Sequence, residues 1–539
     1  MSESTLFLRK ATGLVRSWSV FDAFIYATFS INLITLGLYI FSFGYFVPDG
    51  HLVPAILIST PFLIFQVIVY AALIAAMPRA GGDYVWQSRI LGGGIGFVLA
   101  VTGWWFILWH WVPLYGTMLS YMVFTPLFAT LGLRDIALWF SSADGLFWSS
   151  VITIAIVSFY IAVGMRTYAR IQRWCFYGGV LGLAIVLLVL LFNNQATFQA
   201  AFDQQATALF GAPADAYAGT LKAATDYGYT PPPFSSMPLA SSILLIPFIV
   251  FFNLWSNWGA TLYGEVKGAD DFKRNIRGMG GALLATTAAV VILLALIAKT
   301  MGWEFYNAAN AGFWNPVFDP AAPVGPLGVF PYPGLLAAML LPNGILQVGV
   351  IFLLGLWWFG WSGTVFLSST RVIFAAAFDR VLPEKVAEVS PRLRTPVYAL
   401  LLMAVPAIVV SYLYAYQPGF ATLTLDATLV IAITYLGSTI AAIILPYAKP
   451  DLYNASPVAK YKVAGIPLIT VSGVIFGLFL VYNLYQWFTD ALYGVNNSES
   501  LKYMGVLYGL AIVIYLAARF YRRRQGIDLG LVYKEIPVE

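Results

Sequence analysis

VFDAFIYATFSINLITLGLYIFSFGYF, residues 20–46, decides how the rest of the chain is read. Apart from Asp22 near its start the stretch is uncharged, and as a helix it is long enough to cross a bilayer. Its middle is not apolar: Ala27-Thr28-Phe29-Ser30-Ile31-Asn32-Leu33-Ile34-Thr35 holds Thr28, Ser30, Asn32 and Thr35 at mid-span. Polar side chains there are costly unless they face a cavity or bond to another helix. A second stretch, Phe252-Asn253-Leu254-Trp255-Ser256-Asn257-Trp258-Gly259, repeats the anomaly inside 241–263. Interhelical hydrogen bonding explains one such cluster on its own terms. Two clusters, each in the first helix of one half of the chain, point instead to paired interruptions around a midplane binding site.

The whole composition agrees with a membrane setting. Hydrophobic residues make up 60% of the 539 positions, charged residues 10%, and aromatics 17%. A soluble domain normally carries about a quarter charged residues. Twelve apolar runs are long enough to span: 20–46, 53–77, 94–126, 147–165, 174–193, 241–263, 279–300, 344–370, 396–416, 427–446, 463–488 and 503–518. Only Asp22 and Lys299 bring charge into them. Backbone in lipid must pair internally, so these runs are expected to be helices in an all-α integral membrane fold. The single cysteine, Cys175, excludes an intramolecular disulfide framework. Met1–Arg16 has no short apolar core followed by small residues, so no cleavable signal is expected.

Basic residues orient the frame. With the N-terminus inside, all 29 Lys and Arg except Arg134, Lys222, Lys299 and Lys502 fall on the inner side. That bias predicts both termini cytoplasmic in a multi-pass protein of the plasma membrane. The predicted layout is an N-terminal tail at 1–17, helices 1–5 over 18–193, a long outer loop at 194–240, and helices 6–10 over 241–446 with another long outer loop at 301–343. Helices 11 and 12 follow over 447–520, then a C-terminal tail at 521–539. The long loops are poor in charge and read as an ordered lid, with a gate over a vestibule as the sharper alternative. Asn496-Asn497-Ser498 forms a glycosylation triplet on the expected outer side.

Candidate chemistry is sparse. His110, in Trp104-Trp105-Phe106-Ile107-Leu108-Trp109-His110-Trp111, is the one imidazole within the expected spans. It reads equally as a neutral interhelical hydrogen-bonding group and as a substrate contact or proton carrier. Ser362, Gly363 and Thr364 lie in the eighth span. Their hydroxyls either ligate sodium, a hard cation preferring oxygen, or bond back to the preceding turn. No certain metal site, cofactor motif, P-loop, catalytic triad or nucleic-acid signature emerges, so an enzyme is not expected.

Three segments resemble the amino acid–polyamine–organocation (APC) superfamily of permeases. Met77-Pro78-Arg79-Ala80-Gly81-Gly82-Asp83-Tyr84-Val85 is similar to its inner-loop motif, and Tyr263-Gly264-Glu265-Val266-Lys267-Gly268-Ala269 to its Glu-Val-Lys run. Ser369-Thr370-Arg371-Val372, Asp379-Arg380-Val381-Leu382-Pro383 and Arg394-Thr395-Pro396 are similar to its Ser-Arg, Asp-Gly-x-Leu-Pro and Thr-Pro signature. The resemblance covers most of 18–488. It implies a leucine-transporter-like fold of two inverted five-helix repeats plus two C-terminal helices, with substrate bound where helices 1 and 6 unwind. By motif offset it puts Phe251 near an aromatic gate. Many relatives have Gly-x-Gly in the first helix where this chain has Ser30-Ile31-Asn32-Leu33-Ile34-Thr35, so side-chain donors such as Asn32 or Ser30 stand in for bare backbone.

The expected substrate-binding set is Ser30, Ile31, Asn32, Thr35, His110, Phe251, Asn253, Ser256 and Asn257, with His110, Ser362 and Thr364 as ion-coupling candidates. The expected function is a secondary active permease importing amino acids or similar zwitterionic or neutral solutes by alternating access, with H+ or Na+ as coupling partner. A substrate exchanger and a non-transporting scaffold or sensor on the same fold are the alternatives. The expected spans hold no acid near their middles, which disfavours strongly cationic substrates.

Overall fold

The structure, a computed structural model, describes residues 18–319, 321–390, 396–417 and 419–534. The expected N-terminal tail, with Arg9, Lys10 and Arg16, lies outside the described residues. So do Arg392, Arg394 and Thr395 of the third motif.

Eleven helical runs among the described residues are long and apolar enough to cross a membrane. They are α1 (Val20–Phe46), α2 (Leu52–Ala76), α3 (Gly93–Thr130), α4 (Ala143–Ala162), α5 (Met165–Phe192), α7 (Phe272–Phe318), α8 (Gly344–Phe378), α9 (Val397–Tyr416), α10 (Ala421–Ala448), α11 (Leu468–Thr489) and α12 (Ser498–Arg524). The label α6 is kept for Ile246–Asn253, because the expected run at 241–263 is not one helix. Short helices at Leu239–Ile243 and Ile246–Asn253 are followed by a turn and a 3-10 helix at Trp258–Glu265. Several helices outrun their expected ends. α12 continues to Arg524, where Arg522, Arg523 and Arg524 sit favourably in the last turn of the helix dipole.

The two charges that the expected spans contain, Asp22 and Lys299, are matched. Asp22 closes a capping box with Ser19 at the start of α1 and takes a bidentate contact from Arg173 (2.7 and 2.9 Å). Lys299 donates to the carbonyls of Leu191 and Asn193, filling the unpaired acceptors at the end of α5. α5 and α8 pack closely because Gly178, Gly179 and Gly182 face Leu356, Trp357 and Leu353.

Both long connections are ordered. The first contains helices Gln195–Phe210 and Ala216–Asp226; the second, expected at 301–343, begins inside α7 with the helix Trp303–Phe318 and also contains Pro333–Ala338. Tyr217 stacks on Phe305 (4.4 Å, 2°), and the Trp314 indole donates to Ser42 in α1 (2.8 Å). At the opposite end a short antiparallel hairpin, Lys462–Val463 with Ile466–Pro467, precedes α11. The segment after α12 folds back on the protein. Its Tyr533 ring lies 5.4 Å from the Arg89 guanidinium, and in the last turn of α12 itself Arg522 donates to the carbonyls of Arg380 (2.8 Å) and Leu382 (3.2 Å).

Candidate functional site

The first interruption turns on one residue. The regular helix Val20–Ile31 ends at Asn32, which adopts a left-handed conformation (φ 53°, ψ 79°). Asn is among the few side-chain-bearing residues that visit this region readily. The Asn32 N–H closes the first segment on the Thr28 carbonyl (3.0 Å), while its Oδ1 accepts from the Thr35 N–H (3.0 Å) and caps the next. A π-turn at Leu33–Gly37 follows, then Leu38–Phe41. Asn32 Nδ2 and Thr35 Oγ1 are buried without a hydrogen-bond partner among the described residues. Ser30 is spent locally, its hydroxyl donating to the Tyr26 carbonyl (2.7 Å), and Ile31 is buried beside it.

The second interruption follows α6. Leu254–Asn257 forms the turn, and α2 supports it. Gln66 Nε2 donates to the Leu254 carbonyl (2.8 Å) and to Asn257 Oδ1 (2.9 Å), and Asn253 Nδ2 donates to Ser59 (3.0 Å). Asn253 Oδ1 and the Ser256 hydroxyl are buried without partners among the described residues. Phe252 connects the two interruptions. A Cβ on Gly37 would lie 2.9 Å from its ring and 3.2 Å from the Asn32 carbonyl oxygen, and Phe41 meets the same ring edge-on (5.0 Å, 71°).

Aromatic rings wall the region. Trp111 of α3 stacks on Phe251 (5.0 Å, 15°) and meets Trp255 edge-on (5.3 Å, 90°). Trp258 lies against Trp255 (5.3 Å) and Trp104 (4.8 Å). Thr364 ties this wall to α8. Its carbonyl accepts from the Trp258 indole (3.2 Å) and the Tyr26 hydroxyl (3.3 Å), and its hydroxyl lies 3.0 Å from that of Tyr115. Ser362 donates to the Phe359 carbonyl (3.1 Å), the back-bond of an ordinary helical serine.

The structure therefore brings together Asn32, Thr35, Phe251, Asn253, Ser256 and Asn257. His110 points elsewhere. Its ring stacks on Phe420 (5.3 Å, 24°), and its Nδ1 lies 3.4 Å from the Tyr503 hydroxyl of α12. Sequence reasoning missed Gln66 and Trp111. Gln66 was detectable as an uncharged polar residue in an otherwise apolar run; nothing distinguishes Trp111 from the tryptophans beside it.

The two ends of this region differ. Towards the start of α1, buried polar networks fill the space. Asp83 accepts from Tyr70 (2.7 Å), Ser438 and the Trp104 indole (3.0 Å). Burial outweighs these donors and lifts the Asp83 carboxyl to about 6. Arg89 pairs with Asp379, and Arg371 with Glu265 (2.7 Å), all nearly sealed from solvent. Towards the long connections there is instead a cavity of about 310 Å³, lined by Tyr39, Phe43, Phe248, Trp314, Tyr414 and Leu425 among others.

The model of the family described as "Amino acid permease" matches residues 19–512. No curated protein matches the chain.

Proposed function

The chain belongs to the amino acid permease family, and from that premise we propose that it is a secondary active transporter importing amino acids or similar small zwitterionic or neutral solutes by alternating access. One observation carries the reading: two helices interrupted side by side, at Asn32 and at Leu254–Asn257, in contact through Gly37 and Phe252. Asn32 Nδ2 offers a donor, and Asn253 Oδ1 an acceptor, that the described residues leave unused. A zwitterion needs both kinds of group, and the ends of interrupted helices add partial charges of both signs.

In this reading the interrupted segment around α6 is a twelfth, discontinuous crossing. Residues 18–193 and 241–446 are two inverted repeats, and α11 and α12 are additions. The basic-residue bias sets the start of α1 and the end of α12 in the cytoplasm of a plasma-membrane protein. The cavity is then an outward vestibule, and the buried pairs around Arg89 and Arg371 a closed inner face. Coupling to H+ or Na+ drives uptake; His110, Ser362 and Thr364 are the candidates read from sequence.

Reconstitution into proteoliposomes tests this. The wild type is expected to take up at least one labelled common amino acid, and Asn32→Ala or Asn253→Ala to lower uptake by about tenfold or more with the fold retained. Absence of uptake and of counterflow for every amino acid would refute the transport reading.

A further inference from the structure

Asp426 is a fully buried carboxylate whose two oxygens make no full hydrogen bond among the described residues, although the Ser500 hydroxyl is placed to donate. The expected tenth span began after it, at 427, but the regular helix starts at Thr424 and takes Asp426 into its first turn. The groups facing it come from α12: the Ser500 hydroxyl and the Tyr503 phenol. Tyr503 in turn meets His110 of α3, whose Nε2 is buried and has no partner among the described residues. Tyr414 of α9 lies nearby with its hydroxyl turned to Thr424, Thr117 and Tyr39. Glu499 and Lys502 of α12 pair with each other (2.8 Å) on an exposed surface. Among the described residues no Lys or Arg is one of the groups acting on Asp426. Its chain neighbours Thr424 and Leu425 line the 310 Å³ cavity.

We propose that Asp426 is the proton-binding site that couples transport, loaded through that cavity and backed by Tyr503 and His110. This rests on the transport reading and goes beyond it by naming the ion and its site. An ionised carboxylate with no cation and only hydroxyls beside it is costly away from water. Water in an open cavity relieves that cost; closing the cavity restores it. Adding one proton turns the carboxylate into a neutral acid, whose O–H donates to a facing hydroxyl oxygen, so closure proceeds with the proton aboard. Opening on the other side rehydrates the group and releases the proton there. Sodium fits poorly, because a hard cation needs a shell of several oxygens. Here one carboxylate is met by two hydroxyls.

The test uses proteoliposomes and the labelled common amino acid that gives the largest counterflow in the wild type. Counterflow at equal pH, accumulation under a pH gradient, accumulation under a sodium gradient and external alkalinisation are each measured. The wild type is expected to accumulate substrate under the pH gradient and to take up protons with it. Asp426→Asn is expected to keep counterflow and to lose pH-driven accumulation by about tenfold or more. Undiminished pH-driven accumulation by Asp426→Asn overturns the proposal, as does wild-type accumulation driven by sodium without proton uptake. If Asp426→Asn gives no counterflow, Asp426→Glu decides: with its carboxyl retained it should restore proton uptake, and transport without proton uptake overturns the proposal. Wild-type protein with no counterflow for any amino acid overturns the transport reading itself, and this proposal with it.

Discussion

Asn32 does two jobs that pull its substitutions in different directions. It holds a left-handed backbone, and its side chain caps the segment beyond. Asn32→Val is therefore expected to cost about 1–3 kcal/mol from backbone strain. Asn32→Gly, free of that strain, is expected to cost a few tenths. Thermal unfolding in detergent separates them, and equal losses would mean the conformation is unimportant. At Gly37 a methyl group has no room against the Phe252 ring, so Gly37→Ala is expected to lose about 1–3 kcal/mol. Phe252→Leu in the same chain should recover part of that loss. Arg380 presents the opposite case. It occupies the glycine position of the Asp-Gly-x-Leu-Pro signature and has φ 64°. Arg380→Gly should raise stability by up to about 1 kcal/mol, offset by the weak contact to Glu384. At this scale the sequence was partly transparent. Asn32, Asn253 and Ser256 announced themselves as polar groups in apolar runs. The direction of His110 did not, because a residue on α3 can face either the interruptions or α12 without changing the run's hydropathy.

Among the elements, α6 shows what hydropathy can and cannot report. The apolar run at 241–263 is plain in the sequence, but it does not form one helix of crossing length. Apolar content says that a segment can enter lipid; continuity depends on partners such as Gln66 that accept the cost of an open turn. The helix at Asp83–Ile90 supplies a pH-dependent element. With Asp83 lifted to about 6, the folded protein holds this proton more tightly than an unfolded chain, whose carboxyl titrates near 3.8. The resulting stabilisation is complete below the unfolded value and is lost as pH rises through about 6, amounting to at most about 3 kcal/mol. Unfolding midpoints followed from pH about 5 to about 7 should fall, and Asp83→Asn should flatten that fall. An unchanged slope in the variant would assign the effect to other groups.

For the molecule as a whole, the charge bias makes a prediction about sidedness. Cys175 is buried and is the only cysteine, so introduced thiols can be followed against a quiet background. Lys222→Cys should react with an impermeant maleimide in intact cells, and Arg523→Cys only after the membrane is opened. The reverse pattern would refute the orientation. The membrane class and most of the helical runs were legible because they depend on composition summed over many residues; the reach of α7 to Phe318, into the expected loop at 301–343, was not. The contents of the connections were not: their helices are held by contacts such as Tyr217 on Phe305, between residues far apart in sequence. The fold-back after α12, placed in the sequence layout within a tail, escaped for the same reason. The contact made by the last turn of α12 has a consequence for biosynthesis. Arg380 leaves the ribosome 142 residues before Arg522, the side chain that binds its carbonyl oxygen. Until translation is nearly finished, the turn after α8 lacks this clasp, so a premature stop codon shortly before Arg522 would yield a chain with all its earlier helices made and that turn still unfastened, open to cellular quality control.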